Sequence, residues 1–402
     1  FVALYVLTPF KNTVLLIASL LFYAWGELGY TLLMLVSIVI NYGFGIGIDG
    51  ASKQKKITLA IGVASNLLLL TYFKYFNFLS GLFVEQSDSA VHLPLGISFF
   101  TFQAISYLVD VYRGDAKVEK NVFNLGLYIS MFPQLIAGPI VRFKTVAEQI
   151  KHRSINLVQM NQGLRVFILG LGQKVLIANT VALPADQIFS LQANELTTAL
   201  AWLGSLCYSL QIYFDFAGYS NMAIGLGLMM GFTFPENFSH PYIAQSITEF
   251  WRRWHKSLSG WFRDYLYIPL GGNRGSGFKT YMNLFIVFML CGLWHGAAWT
   301  FIIWGIYHGV FLVLERLKLS DVLSTSWRQL RHIYLLLVVL FGWVIFRAES
   351  IDHLIYFIQA MFGFSQATIS NPYYLDLYIT NNIIVAIIIG SVFSTPVFAY
   401  IK

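Results

Sequence analysis

Two histidines, His295 and His308, stand in "CGLWHGAAWTFIIWGIYHG" (291–309), a stretch otherwise almost wholly apolar and aromatic. An imidazole accepts and returns a proton near neutral pH, and an ionisable residue at membrane depth is a functional candidate by default. His295 is the stronger of the two, because it sits in a glycine-bracketed bend. Gly292 and Gly296 carry no side chains, which leaves room for a substrate to approach. His308 reads as a packed, hydrogen-bonded core histidine. His92, His152, His332 and His353 lie near loops or segment ends, and His240 in "NFSHPY" precedes a proline and reads as a turn residue.

The residue types narrow the chemistry. Metal binding needs three or four ligands in reach, and the sequence has no HExxH, no CxxC and no clustered carboxylates. A nucleophile elbow of the GxSxG kind is absent as well. What remains for His295 is general-base work, in which imidazole takes a proton from a hydroxyl that attacks an activated acyl group. The rival is a transporter or channel with His295 as a proton relay. That reading needs acidic partners inside the membrane, and Asp215 in "YFDFAGYS" is the strong candidate.

The elements that must position this histidine are membrane elements. Of 402 residues 57% are hydrophobic and only 11% charged, against about a quarter charged in soluble domains. The expected fold is an all-α polytopic membrane protein. Apolar runs at about 13–26, 30–48, 57–82, 93–111, 121–141, 163–183, 197–231, 280–294, 297–314, 332–347 and 378–399 predict roughly ten to twelve membrane helices. The opening "FVALYVL" is expected to be the remainder of a first span rather than a signal peptide. Cys207 and Cys291 sit in apolar context and read as small hydrophobes. Gly227 and Gly231 form a small-xxx-small pair suited to helix packing. The net charge of +7 falls in loops and segment ends, which suits an orientation signal better than nucleic-acid binding.

Lys and Arg fix the expected orientation. "ASKQKK" (51–56), "RFKTVAEQIKHR" (142–153) and "ERLKLSD" (315–321) are basic and predict the cytoplasmic side. "VEQSDSAVH" (84–92), "PADQIFSLQANE" (184–195) and "SQATISNPYYLD" (365–376) contain neither residue and predict the outer side. Helices 280–294 and 297–314 must start and end on the cytoplasmic side. Fifteen residues rise only about 22 Å, so His295 is expected at a bend inside the roughly 30 Å hydrocarbon core.

"QSITEFWRRWHKSLSGWFRDYLYIPLGG" (245–272) is too charged to span. On a helical wheel Phe250, Trp254, Trp261 and Tyr265 fall within about 60° of one another. Glu249, Arg252, Lys256 and Arg263 gather opposite, and His255 lies between the two faces. Ser246 with Glu249 makes a capping box, and Pro269 with two glycines ends the element. Residues 246–266 are therefore expected to form an interfacial or re-entrant amphipathic element, with a break near Gly260.

"FWRRWHKSLSGWFRDYLYIPLGGNRG" (250–275) followed by "GLWHGAAWTFIIWGIYHG" (292–309) resembles the membrane-bound O-acyltransferase family, in particular its bacterial cell-envelope branch. "LLFYAWGE" (20–27), "LPLGISFFTFQAISYLVDVYRG" (93–114), "PQLIAGPIVR" (133–142) and "YFDFAGYSNMAIGLG" (213–227) extend the similarity over nearly all of the chain. The resemblance implies one integral-membrane acyltransferase domain over 1–402 in the bacterial inner membrane. It implies His295 as the essential histidine and His255 as a second catalytic one. "YLYIPLGGNR" is nearer to the alginate O-acetylating branch than to the teichoic-acid D-alanylating one. The acyl group implied is thus acetyl, with acetyl-coenzyme A as donor substrate and no permanently bound cofactor or metal. Arg252, Arg253, Arg274 and Lys279 are the phosphate-pairing candidates on the cytoplasmic side. The chain shows no soluble domain that could finish the acetylation of a sugar polymer, so an extracytoplasmic SGNH-like transferase is the implied partner.

Overall fold

The computed structural model describes residues 1–50, 53–83, 91–365, 367 and 374–397. Among the described residues there is no strand, and six helices are long and apolar enough to cross a membrane. They are Lys11–Gly50, Lys55–Ser80, Leu157–Phe189, Gly277–His295, Trp299–Thr325 and Arg328–Arg347. Contacts gather into two compact units, residues 1–169 with 219–236 and residues 170–218 with 237–402. Parts of the expected loops, at 51–52, 84–90, 366 and 368–373, lie outside the described residues, as do 398–402.

The first unit begins with α1 (Val2–Leu7), α2 (Lys11–Gly50) and α3 (Lys55–Ser80). The runs at 13–26 and 30–48 are the two arms of α2, which parts at Glu27 (φ −144°, ψ 58°) between them, and the Glu27 carboxylate accepts from the Leu95 backbone N–H. Helix α3 shows why an apolar run alone does not reveal which face packs. Ile57, Ile61 and Leu68 are exposed, whereas Gly62 and Asn66 are buried. Asn66 and Asn41 of α2 exchange side-chain hydrogen bonds at 2.7 and 3.1 Å. Without water to drive burial, small and amide side chains hold membrane helices together while the greasy faces meet lipid. Next come α4 (Ile97–Arg113), α5 (Val122–Ser130), α6 (Phe132–Leu135) and α7 (Phe143–Lys151). The run at 121–141 thus breaks at Met131 into two short helices, and the basic segment 142–153 is largely helical. Gly231 (φ +85°) belongs to the turn after a helix rather than to a packing face, while the missing Cβ of Gly227 is filled by the Phe234 ring.

Helix α8 (Leu157–Gly172) continues through a π-helical stretch into α9 (Asn179–Phe189), and α10 is Thr198–Met229. Pro184 lies inside α9, so the segment read as an outer loop from 184 is helical to Phe189. The second unit holds α11 (Ile247–Arg253), α12 (Lys256–Phe262), α13 (Gly277–His295) and α14 (Trp299–Leu314), then α15 (Ser320–Thr325), α16 (Arg328–Arg347), α17 (Ile351–Met361) and α18 (Asn381–Phe393). Helix α13 starts earlier than its apolar run, because Ser276 caps it by accepting from the Lys279 N–H. Its 19 residues rise about 28 Å, close to a hydrocarbon thickness. The helix length therefore does not place His295 short of the far side.

The amphipathic element is not one helix. It breaks at Trp254–His255 instead of near Gly260, because His255 takes a left-handed conformation (φ 43°, ψ 55°). His240 is the other described non-glycine residue with positive φ. Such a conformation costs about 1–2 kcal/mol and persists only where the surroundings enforce it. Here the segment 237–239 enforces it: Ser239 N–H donates to the Arg253 carbonyl and Lys256 N–H to the Asn237 carbonyl.

Candidate functional site

Helix α11 is anchored at its N-terminal end. Ser246 accepts from the Glu249 N–H at 3.0 Å, and Glu249 accepts in return from the Gln245 N–H at 2.9 Å. The stronger anchor comes from far along the chain. Glu315, 3% exposed, accepts from Ile247 N–H (2.6 Å), Thr248 N–H (2.9 Å), the Thr248 hydroxyl (2.6 Å) and the Tyr334 hydroxyl (3.1 Å). Its carboxylate satisfies donors that the first turn of a helix leaves without partners. Glu315→Gln replaces one acceptor oxygen by an NH₂ that faces donors. The expected cost is about 1.5–3 kcal/mol, read as a fall in melting temperature of the detergent-purified protein.

Beyond α11 the chain turns at His255, and α12 runs along a cavity of about 230 Å³. His255 and His295 both line it. Arg252 and Arg263, both exposed, lie on its wall, and Leu258, Phe262, Leu284, Val287 and Phe288 make that wall apolar. The cavity lining is therefore graded, with the two guanidinium residues exposed, His295 half-buried and His255 buried.

His295 occupies the last turn of α13, half-buried, with its ring edge-on to Trp304 at 5.1 Å and Phe346 at 5.2 Å. His255 differs. It is 2% exposed, with Phe216 edge-on to its ring at 4.6 Å. Its Nδ1 meets Asn237 Oδ1 at 3.1 Å, and its Nε2 has no hydrogen-bond partner among the described residues. Burial first, and His295 second, push the His255 imidazole well below its ordinary titration range.

Of the four expected phosphate-pairing residues, the cavity includes Arg252 and excludes Arg253, Arg274 and Lys279. The Arg253 guanidinium is held by Glu249 at 2.8 Å and donates to the Ser239 carbonyl. Arg263, read from the sequence only as part of a basic face, does line the cavity. His308 is 1% exposed and packed among Trp251, Trp304 and Tyr307, as expected of a core residue. Among the described residues neither ring nitrogen has a hydrogen-bond partner, unlike the hydrogen-bonded core histidine expected. Asp215, the acid that a proton relay would need, pairs with Lys174 instead. Among the described residues no group of His, Cys, Asp and Glu could hold a metal, and both cysteines are free and buried.

The glycines beside His295 do something other than make room for substrate. A Cβ on Gly292 would sit 2.2 Å from the Phe301 carbonyl oxygen and 3.0 Å from Gly305. A Cβ on Gly296 would sit 2.0 Å from the Phe301 ring. Helix α14 fills those spaces, so the glycines let the α13–α14 hairpin close. Close approach through small residues is the usual device of helix packing in lipid.

Residues 119–358 match the family model described as MBOAT, membrane-bound O-acyltransferase family, and the matched stretch contains every residue of the two-histidine cavity. The chain is 48% identical over 387 residues to the probable alginate O-acetylase AlgI of Azotobacter vinelandii, covering 92% of this chain and 77% of that protein. It is 38% identical over 391 residues to the peptidoglycan O-acetyltransferase of Helicobacter pylori, covering 88% and 74%. It is 30% identical over 305 residues to the teichoic acid D-alanyltransferase of Bacillus subtilis, covering 69% and 76%. With more than half of its length in the family match, and close relatives along most of the rest, this helical membrane chain belongs to the membrane-bound O-acyltransferase family and is an O-acyltransferase.

Proposed function

We propose that the protein, in the bacterial inner membrane, moves an acetyl group from cytoplasmic acetyl-coenzyme A across the bilayer for O-acetylation of an extracytoplasmic polysaccharide such as alginate. The observation that carries this reading is the graded cavity lining, with Arg252 and Arg263 exposed, His295 half-buried and His255 buried. Guanidinium groups suit the phosphates of a coenzyme A thioester, and an apolar wall suits its uncharged arm. The 46–48% identity to probable alginate O-acetylases supports acetyl over D-alanyl as the group moved.

In this reading His295 is the general base. Its imidazole removes the proton of the acceptor hydroxyl as that oxygen attacks the thioester carbonyl carbon. The tetrahedral intermediate collapses with cleavage of the C–S bond. The departing sulfur takes the proton back from the imidazolium and leaves as a thiol, so base and charge are restored. His255 stays neutral and orients a substrate donor through Nε2. The element from 246 to 266 faces the cytoplasm, where the donor enters. An extracytoplasmic SGNH-like transferase receives the acetyl group and passes it to the polymer.

The test uses membrane vesicles containing the partner protein and acetyl-coenzyme A labelled in the acetyl group. Label should reach the acceptor only when the donor is supplied on the cytoplasmic face, and a D-alanyl donor should give none. His255→Ala should lower the rate about 10- to 100-fold, less than loss of the general base, because His255 orients rather than carries the proton. Transfer from donor on the outer face alone, or from the D-alanyl donor at an equal rate, rejects the proposal.

A further inference from the structure

We infer that Asn237 is a positioning residue that locks His255 in the tautomer with Nδ1 protonated, so that Nε2 offers a lone pair to a hydrogen-bond donor on the substrate. The inference rests on the reading of His255 as part of the transfer site, and it concerns a residue 18 positions upstream that carries no charge.

Three donors converge on Asn237 Oδ1: the Ser257 N–H at 3.2 Å, the Ser257 hydroxyl at 2.9 Å and His255 Nδ1 at 3.1 Å. A backbone N–H cannot accept, so the atom of the amide that faces it is the oxygen. That assignment decides the imidazole. Nδ1 faces an acceptor and must carry the proton, since the other tautomer would set two lone pairs against each other at 3.1 Å. The Ser257 hydroxyl could serve an unprotonated Nδ1 only at 3.5 Å, at the limit of a hydrogen bond, and it already has a better acceptor in Asn237.

Neutrality has the same origin. The groups that face His255 are Asn237 and Ser257, the rings of Phe216, Phe238 and Trp294, and His295, with Arg252 and Arg263 on the same cavity wall. Among the described residues no carboxylate is in hydrogen-bond or ring contact with the His255 imidazole. A neutral amide orients the ring without stabilising an imidazolium, which a carboxylate in its place would do. The left-handed backbone of His255 serves the same arrangement, because the Asn237 carbonyl holds Lys256 N–H just beyond the turn. One residue thus fixes the backbone, the ring and the tautomer.

The experiment pairs a direct readout with a kinetic one. The full-length protein, ¹⁵N-labelled at histidine, is examined by solid-state NMR in lipid, with His255 assigned by the loss of its signals in His255→Gln. At pH 7 Nδ1 should appear protonated and Nε2 unprotonated. Asn237→Asp keeps the acceptor oxygen but adds charge, so Nε2 should become protonated at a higher pH. The acid limb of kcat against pH should then move up by about one unit or more, with activity recovered on the alkaline side. Asn237→Leu should give mixed tautomers and a kcat about 10- to 100-fold lower, the effect usual for groups that orient a ligating or reacting imidazole. A wild-type spectrum with Nε2 protonated overturns the inference even if transfer proceeds as proposed. So does an Asn237→Asp pH profile that superimposes on that of the wild type. The tautomer readout needs no acyl donor, so it stands apart from any failure of the acetyl-coenzyme A reading.

Discussion

His295→Ala is expected to lower acetyl transfer by about 10²–10⁴-fold, or about 3–5 kcal/mol of barrier, while the protein still folds and inserts. The size follows from what surrounds the ring. Trp294, Trp304 and Phe346 are the aromatic neighbours of His295, and none of them takes a proton near neutral pH. His255 is not a substitute base, because burial keeps it neutral well below its ordinary range. Insertion should survive, because His295 ends its helix and α13 and α14 meet elsewhere through glycine. The assay is transfer of labelled acetyl from acetyl-coenzyme A in membranes containing the partner, with protein level checked by immunoblot. Near-normal turnover in a well-expressed His295→Ala protein would remove His295 from the mechanism.

The sequence exposed His295 because cost is visible there: an imidazole in an apolar run must have a reason. Helix length adds nothing to its depth, because the Ser276 cap starts α13 before the hydrophobic run begins. Hydropathy marks which residues avoid water, not where backbone hydrogen bonding starts. The same distinction explains why 121–141 reads as one segment although it breaks at Met131, whereas the break between 13–26 and 30–48 is real and falls at Glu27. Periodicity failed at His255 for another reason. A helical wheel assumes right-handed backbone throughout, and only the pairing of 237–239 with 253–256 turns His255 out of it. Asn237 sat in a stretch that read as a turn. Glu315 read as the end of a helix, because its partners Ile247 and Thr248 lie nearly 70 residues away. Local pattern reports the covalent neighbour, whereas these residues act on spatial ones.

That difference is sharpest at the glycines of the α13–α14 hairpin, where two substitutions of the same kind should behave in opposite ways. In Gly292→Ala the new methyl would lie 2.2 Å from the Phe301 carbonyl oxygen, a backbone atom that no rotamer change can move. The helices must part by an ångström or more. Overpacking of this kind costs about 1–3 kcal/mol, and sometimes more. The functional loss should be larger than the stability loss, because Gly292 lies less than one turn before His295. A shift of about 1 Å at a reacting group can cost about 10²-fold in rate. In Gly309→Ala, on the facing helix, the new methyl meets Phe285 and Phe288 at 3.5 Å, ordinary contact distance. It should be tolerated, and the better helix propensity of alanine offers up to about 1 kcal/mol in its favour. Melting temperature in detergent and turnover in membranes test the pair together. Equal tolerance of both substitutions would mean that the hairpin is not held by the Gly292–Phe301 approach, and His295 would then need another explanation for its position. A loss confined to Gly292→Ala, greater in turnover than in melting temperature, is the result that ties the closure of these two helices to the chemistry at their end.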